Sequence, residues 1–168
     1  MVFSNNLATL TLIAAIGSGI VAGVFFAFST FVMPALARIE PVQGIAAMQS
    51  INITAINPLF MLALFGTAVV CFLLAILTGL KWGQPHSAYL PIGSLLYLIG
   101  SIGVTIAFNV PLNDALASVK PNSPEGATLW SKYLMNWTFW NHVRTISAAI
   151  ATLLFTIAFC TVKTRIQA

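Results

Sequence analysis

The chain predicts an all-α fold, a four-helix transmembrane bundle with a short amphipathic helix between spans one and two. Its seven basic and three acidic residues make only 6% of 168 residues charged, while 59% are hydrophobic. Soluble domains carry about 25% charged residues, so a surface this poor in charge cannot mostly face water. The apolar residues fall in four runs long enough to cross a bilayer as helix, separated by proline, glycine and amide residues. A third observation bears on function. His142 and Arg144 stand inside the last apolar run, where a charge costs about 2.5–3.5 kcal/mol on insertion scales.

The first span covers residues of about 7–33 and is expected to end where Pro34 removes a backbone donor. It lacks the basic leader and short apolar core of a signal peptide, so it reads as a retained span. Ala15, Gly19, Gly23 and Ala27 recur every four positions on one face. Such a small-residue stripe suits packing within the bundle, or a homo-oligomer through Gly19 and Gly23. From Arg38 to Ile56 the chain is less hydrophobic, and Ile45, Met48, Ile51 and Ala55 share helical spacing. That pattern gives the amphipathic helix near the membrane surface.

Asn57-Pro58 reads as the N-cap and first-turn proline of the second span, residues of about 58–80. A polar turn over 81–87 leads to the third span, about 88–108, which breaks at Asn109-Val-Pro111-Leu-Asn113. After an exposed connection, Ser123-Pro124-Glu125 supplies a capping hydroxyl, a first-turn proline and a first-turn acid. The last helix starts there, outside the bilayer, and its membrane part covers about 137–162. Trp130, Tyr133, Trp137 and Trp140 mark the interfacial zone. The whole chain, 1–168, thus reads as one integral, multi-pass membrane domain whose first partner is the lipid bilayer.

Basic residues are scattered, which excludes nucleic acid as a partner. Cys71 and Cys160 lie in apolar runs without metal-ligand spacing and read as buried thiols. Four spans put both termini on the side of Lys81, Lys163 and Arg165, and put Arg38, Lys120 and Lys132 on the other. The counts tie, and only the first side lacks compensating acids, which tips the reading to cytoplasmic termini. Whatever the orientation, Arg38, Asn57, Asn109 with Asn113, and Asn141 with His142 and Arg144 come to the same membrane face. A polar mouth between helices is where bundles build ligand sites.

On the last helix, Trp137, Asn141, Arg144 and Ala148 share one stripe, and Thr138, His142, Thr145 and Ala149 the adjacent one. A structural reading remains open, since a long arginine six residues below the interface can climb back to it. Metal hydrolysis is disfavoured, because His86 lies at the opposite face, the acids fall outside the spans and no two-ligand helix spacing occurs. A serine triad lacks a buried acid, and haem lacks a second ligand or attachment motif. What remains is His142 as a base beside a permanent cation and several amides, a set able to deprotonate a weak carbon acid and hold its enolate. Rim tryptophans could stack on a flat aromatic ligand.

Four ordered stretches carry a resemblance: Gly23-Val-Phe-Phe-Ala-Phe-Ser29 with Met33-Pro34, Asn57-Pro58, Phe108-Asn-Val-Pro-Leu-Asn113 and Trp140-Asn-His-Val-Arg-Thr145. Together they resemble the anthrone-oxygenase-like family of small four-span membrane proteins, long catalogued as a domain of unknown function. The resemblance implies a membrane bundle and, from some fungal relatives, oxidation of an anthrone to an anthraquinone by molecular oxygen with no metal or organic cofactor. It places the family's polar signature on Asn109, Asn113, Trp140, Asn141, His142, Arg144 and Thr145. The expected function is a cofactor-independent oxygenase of an anthrone-like or phenolic aromatic. His142 and Arg144 would be its catalytic residues, with Asn57, Asn109, Asn113, Trp137, Trp140, Asn141 and Thr145 binding substrate and no metal site. Two alternatives stay open: a non-catalytic membrane protein that binds a hydrophobic ligand or partner, and a quinone- or haem-linked redox protein.

Overall fold

A computed structural model describes the backbone of residues 2–79 and 88–167 and the side chains of 6–79 and 88–161. The turn expected over 81–87, including His86, and the side chains of Lys163 and Arg165 lie outside the described residues. Four helices are long and apolar enough to cross a membrane: α1 (Asn6–Leu36), α3 (Pro58–Gly79), α4 (Tyr89–Ala117) and α5 (Pro124–Thr161). Between the first two lies the short α2 (Pro41–Thr54). The architecture is all-α among the described residues, in keeping with the four long apolar runs. Large apolar side chains such as Ile16, Ile20, Phe72, Ile99, Ile146 and Leu153 point outward on the long helices, where only lipid suits them.

Helix starts follow the local chemistry. Asn57 accepts from the Phe60 amide at 3.0 Å and caps α3 ahead of Pro58. The Ser123 hydroxyl accepts from the Gly126 amide at 3.0 Å and caps α5. No breaker interrupts α5, whose 38 residues rise about 1.5 Å each, roughly 57 Å, against a hydrocarbon core of about 30 Å. The excess leaves room outside the bilayer for its polar first turns, which carry Glu125 and Lys132.

Two helices run on past the prolines expected to end them. Pro34 lies within α1 and Pro111 within α4. Immediately before each, the helix widens into a π-helical turn, Phe28–Val32 and Thr105–Asn109. A proline ring clashes with the carbonyl four residues back. Those carbonyls belong to Thr30 and Ala107, inside the widened turns, so the clash is relieved without breaking the helix.

Packing within the membrane part depends on small residues, as lipid offers no hydrophobic drive for helices to associate. At Gly17 a side chain would strike Thr67 of α3, and at Gly100 it would strike Ser147 of α5. These are the close approaches that set the bundle. Gly19 faces Thr152 of α5 in the same chain, whereas Gly23 faces open space. The interior core includes Val21, Phe25, Leu74, Tyr97 and Phe155.

A second core caps one end. Ile45 and Met48 of α2 pack with Met33, Leu36, Leu116, Trp130, Tyr133 and Trp137. Gln49 of α2 ties this cap to the end of α4 by donating to the Leu116 and Val119 carbonyls at 2.8 and 3.0 Å. Those carbonyls are otherwise orphaned by the helix terminus.

Candidate functional site

Beneath the cap, three helices bring polar groups together at the level of Arg144. Its side chain is only 5% exposed and does not climb to the interface. One guanidinium nitrogen donates to the Thr105 hydroxyl of α4 at 3.1 Å, and another to Asn141 Oδ1 at 2.7 Å. Phe25 of α1 lies under the guanidinium, 4.2 Å from its carbon to the ring centre, and Trp137 lies at 5.2 Å. Both distances are within cation–π range.

Asn141 is fully buried and links two helices to the cation. Its amide donates to the Phe25 carbonyl and to the Ser29 hydroxyl of α1, each at 2.7 Å. Ser29 is also 3.3 Å from the Thr145 hydroxyl, which itself donates to the Asn141 carbonyl. Toward the cap, Asn109 donates to the Trp137 carbonyl at 3.2 Å. Asn113 Oδ1 accepts from the Tyr133 hydroxyl and the Trp137 indole, both at 2.8 Å. Trp137 thus stands at the joint between cap and cluster.

Two features of this cluster are chemically unusual. Every partner of the guanidinium is neutral, and the chain's three acids, Glu40, Asp114 and Glu125, are all exposed. A buried cation normally has a carboxylate beside it. Second, Arg144 Nε and Asn109 Oδ1 are buried without a hydrogen-bond partner. Each orphan costs about 1–3 kcal/mol. The Arg144 guanidinium is thus left with one unpaired donor and no carboxylate among its hydrogen-bond partners.

The remaining expected site residues divide. Trp140 stacks on Phe108 of α4, with ring centres 3.7 Å apart and planes 7° from parallel. Asn57 is exposed and serves as the α3 cap, apart from the cluster. His142 is exposed as well and lies on the stripe of α5 that carries Met135, Phe139 and Ile146, all facing outward. A helix turns about 100° per residue, so two steps carry His142 to the far flank from Arg144. Phe25, Ser29 and Thr105 were not singled out from the sequence. Ser29 and Phe25 lie in the first resembling stretch, and Thr105 stands one turn before Asn109 on the same face. Among the described residues, no group of histidine, cysteine and acidic side chains could hold a metal ion.

The fold and cluster define a four-span helical membrane protein with an unneutralised cation inside its bundle. The chain belongs to the anthrone oxygenase family, whose model matches residues 57–154, more than half its length. That region carries Thr105, Asn109, Asn113, Trp137, Asn141 and Arg144, while Phe25 and Ser29 come from outside it. No curated protein and no solved structure matches the chain.

Proposed function

We propose that this protein is a membrane-embedded oxygenase that acts on the enolate of a flat phenolic or anthrone-like aromatic, with molecular oxygen as co-substrate. The observation that supports it most is the Arg144 guanidinium, held by neutral partners with Nε open. An anthrone enolises to a phenol-like hydroxyl. Beside a cation in a low-dielectric site its ionised form is favoured, and the proton stays in the aqueous phase. Arg144 holds the oxyanion, and Asn109 Oδ1 accepts from a second substrate hydroxyl.

The electron-rich enolate gives one electron to oxygen, and the two radicals join at the ring carbon opposite the oxyanion. Protonation gives a hydroperoxide, and loss of water leaves the second carbonyl, so anthrone plus oxygen yields anthraquinone plus water. The protein's part is binding and electrostatic stabilisation of the reactive anion. His142 is not used as the base in this scheme, because it faces away from the cluster.

The test is dissolved-oxygen uptake by purified protein given a simple anthrone, beside a no-protein blank that corrects for autoxidation. Excess uptake is expected in the wild type and in His142→Ala, and is expected to be lost in Arg144→Met. Wild-type uptake by folded Arg144→Met protein would reject the reading. A non-catalytic carrier of a hydrophobic anion is the second reading, favoured because the described hydrogen-bond partners of Arg144, Thr105 and Asn141, are not titratable bases. Equal retention of anthrone in air and under nitrogen, with no anthraquinone formed, would decide for the carrier.

A further inference from the structure

The Arg144 cluster is closed toward the aqueous mouth. Ile45, Met48, Leu116, Tyr133 and Trp137 are each at most 5% exposed and fill the cap above it. An apolar aromatic dissolved in the membrane would need a different route. One flank offers it. Where α4 and α5 meet, the surface consists of the stacked Phe108 and Trp140 rings, with Phe139 set edge-on against Trp140 at 5.1 Å. Phe108 is 39% exposed and Phe139 57%, so this aromatic group faces the hydrocarbon phase.

What lies behind the stack makes the position informative. Phe108 belongs to the same widened turn as Thr105 and Asn109, which contribute a guanidinium partner and the open acceptor. Trp140 lies one helical turn from Arg144 on α5. The stack therefore lies within one helical turn, along each helix, of the groups with unfilled hydrogen-bonding capacity. The helix carrying Phe108 is also the one that can yield, since a π-helical turn next to Pro111 lacks the regular bond pattern that stiffens an α-helix.

We propose that Phe108 and Trp140 form a lateral portal through which a flat aromatic anion, its rings in the bilayer and its charged oxygen at the membrane–water interface, reaches Arg144. The inference rests on the reading of Arg144 as the anion holder and adds the route and the shape of the ligand. A planar ring slid between the two rings keeps a π face against each, so the stack lost on opening is regained with the ligand in place. An acyl chain regains nothing comparable. The portal thus selects flat molecules before the guanidinium selects anions.

The experiment uses the full chain in phosphatidylcholine nanodiscs and the redox-inert probe 9-anthracenecarboxylate, followed by energy transfer from tryptophan after rapid mixing. Removing one ring of the pair, Phe108→Ala, is expected to speed association about two- to tenfold, the weight of one aromatic pair. Phe108→Trp, which enlarges the stack, is expected to slow it. Arg144→Met is expected to abolish equilibrium affinity. Unchanged association rates in both Phe108 variants, with affinity still lost in Arg144→Met, would overturn the portal and leave the anion site standing. Retained affinity in Arg144→Met alongside Phe108-dependent rates would support the route and remove Arg144 as the holder.

Discussion

A guanidinium without a carboxylate is unstable company for a membrane bundle, and the residues around Arg144 show how it is tolerated. Two neutral acceptors and two aromatic faces hold the charge while leaving it unneutralised. Asn141 is the sharpest place to test this. Its Oδ1 already accepts from the guanidinium at 2.7 Å, so Asn141→Asp would put a counter-charge there with almost no change of shape. Anion affinity should vanish, and oxygen uptake should fall by about 10²–10³, the usual cost of losing one oxyanion donor. The thermal transition should remain cooperative, because pairing with Arg144 offsets the lost donations to the Phe25 carbonyl and the Ser29 hydroxyl, and Ser29 can donate to the new carboxylate instead. Uptake at the wild-type level in folded Asn141→Asp protein would mean that the open charge is not what the chemistry uses. Arg144→Met separates the same two properties from the other side. It removes a buried charge together with the bonds to Thr105 and Asn141, terms of opposite sign. Its melting temperature should stay within about 5 °C of the wild type, a shift equivalent to about 1–2 kcal/mol, while activity is lost.

At the scale of elements, α2 and its ties to α4 decide whether the cluster stays dry. Gln49 donates to two carbonyls at the end of α4 and is half-buried against them. Gln49→Ala should therefore loosen the cap without touching Arg144. Its amides over 116–123 should exchange about 5–30 times faster, corresponding to about 1–2 kcal/mol of lost local stability. Unchanged exchange there would show that the cap is held by Ile45 and Met48 alone. The elements themselves were largely legible in the sequence, because charge-free runs, Asn57-Pro58 and Ser123-Pro124-Glu125 report on local physics that the fold keeps. Proline misled at 34 and 111, since a π-helical turn that absorbs the ring leaves no sequence signature separable from a helix end. The site was half legible for a related reason. Trp137, Asn141 and Arg144 share a stripe whose interior direction follows from periodicity. His142 was placed on the adjacent stripe, but only packing against α1 and α4 determines which side of that stripe is buried. Phe25, Ser29 and Thr105 needed the neighbouring helices before their roles could be seen.

On the scale of the whole molecule, cap and cluster lie at one membrane face, so orientation decides which compartment the cap meets. It does not decide how the ligand arrives, because the Phe108–Trp140 flank opens sideways. Among described residues the cap side carries Arg38, Lys120 and Lys132 together with Glu40, Asp114 and Glu125, a balanced set. The opposite face has Lys81, Lys163 and Arg165 in sequence and no acid. Basic residues near span ends are retained on the cytoplasmic side. Three basic residues on each side leave that rule tied, and only the acid-free side tips the expected arrangement to cytoplasmic termini with the cap on the other face. A protein with Cys71→Ala, Cys160→Ala and Asn122→Cys carries one thiol, in the exposed connection between α4 and α5. In intact cells made permeable only at their outer envelope, a membrane-impermeant maleimide should label that thiol. Labelling only after the inner membrane is breached would reverse the orientation and put the cap in the cytoplasm. The Arg144 site and its lateral route would be unchanged by that result, since both are set by α1, α4 and α5 packing against one another.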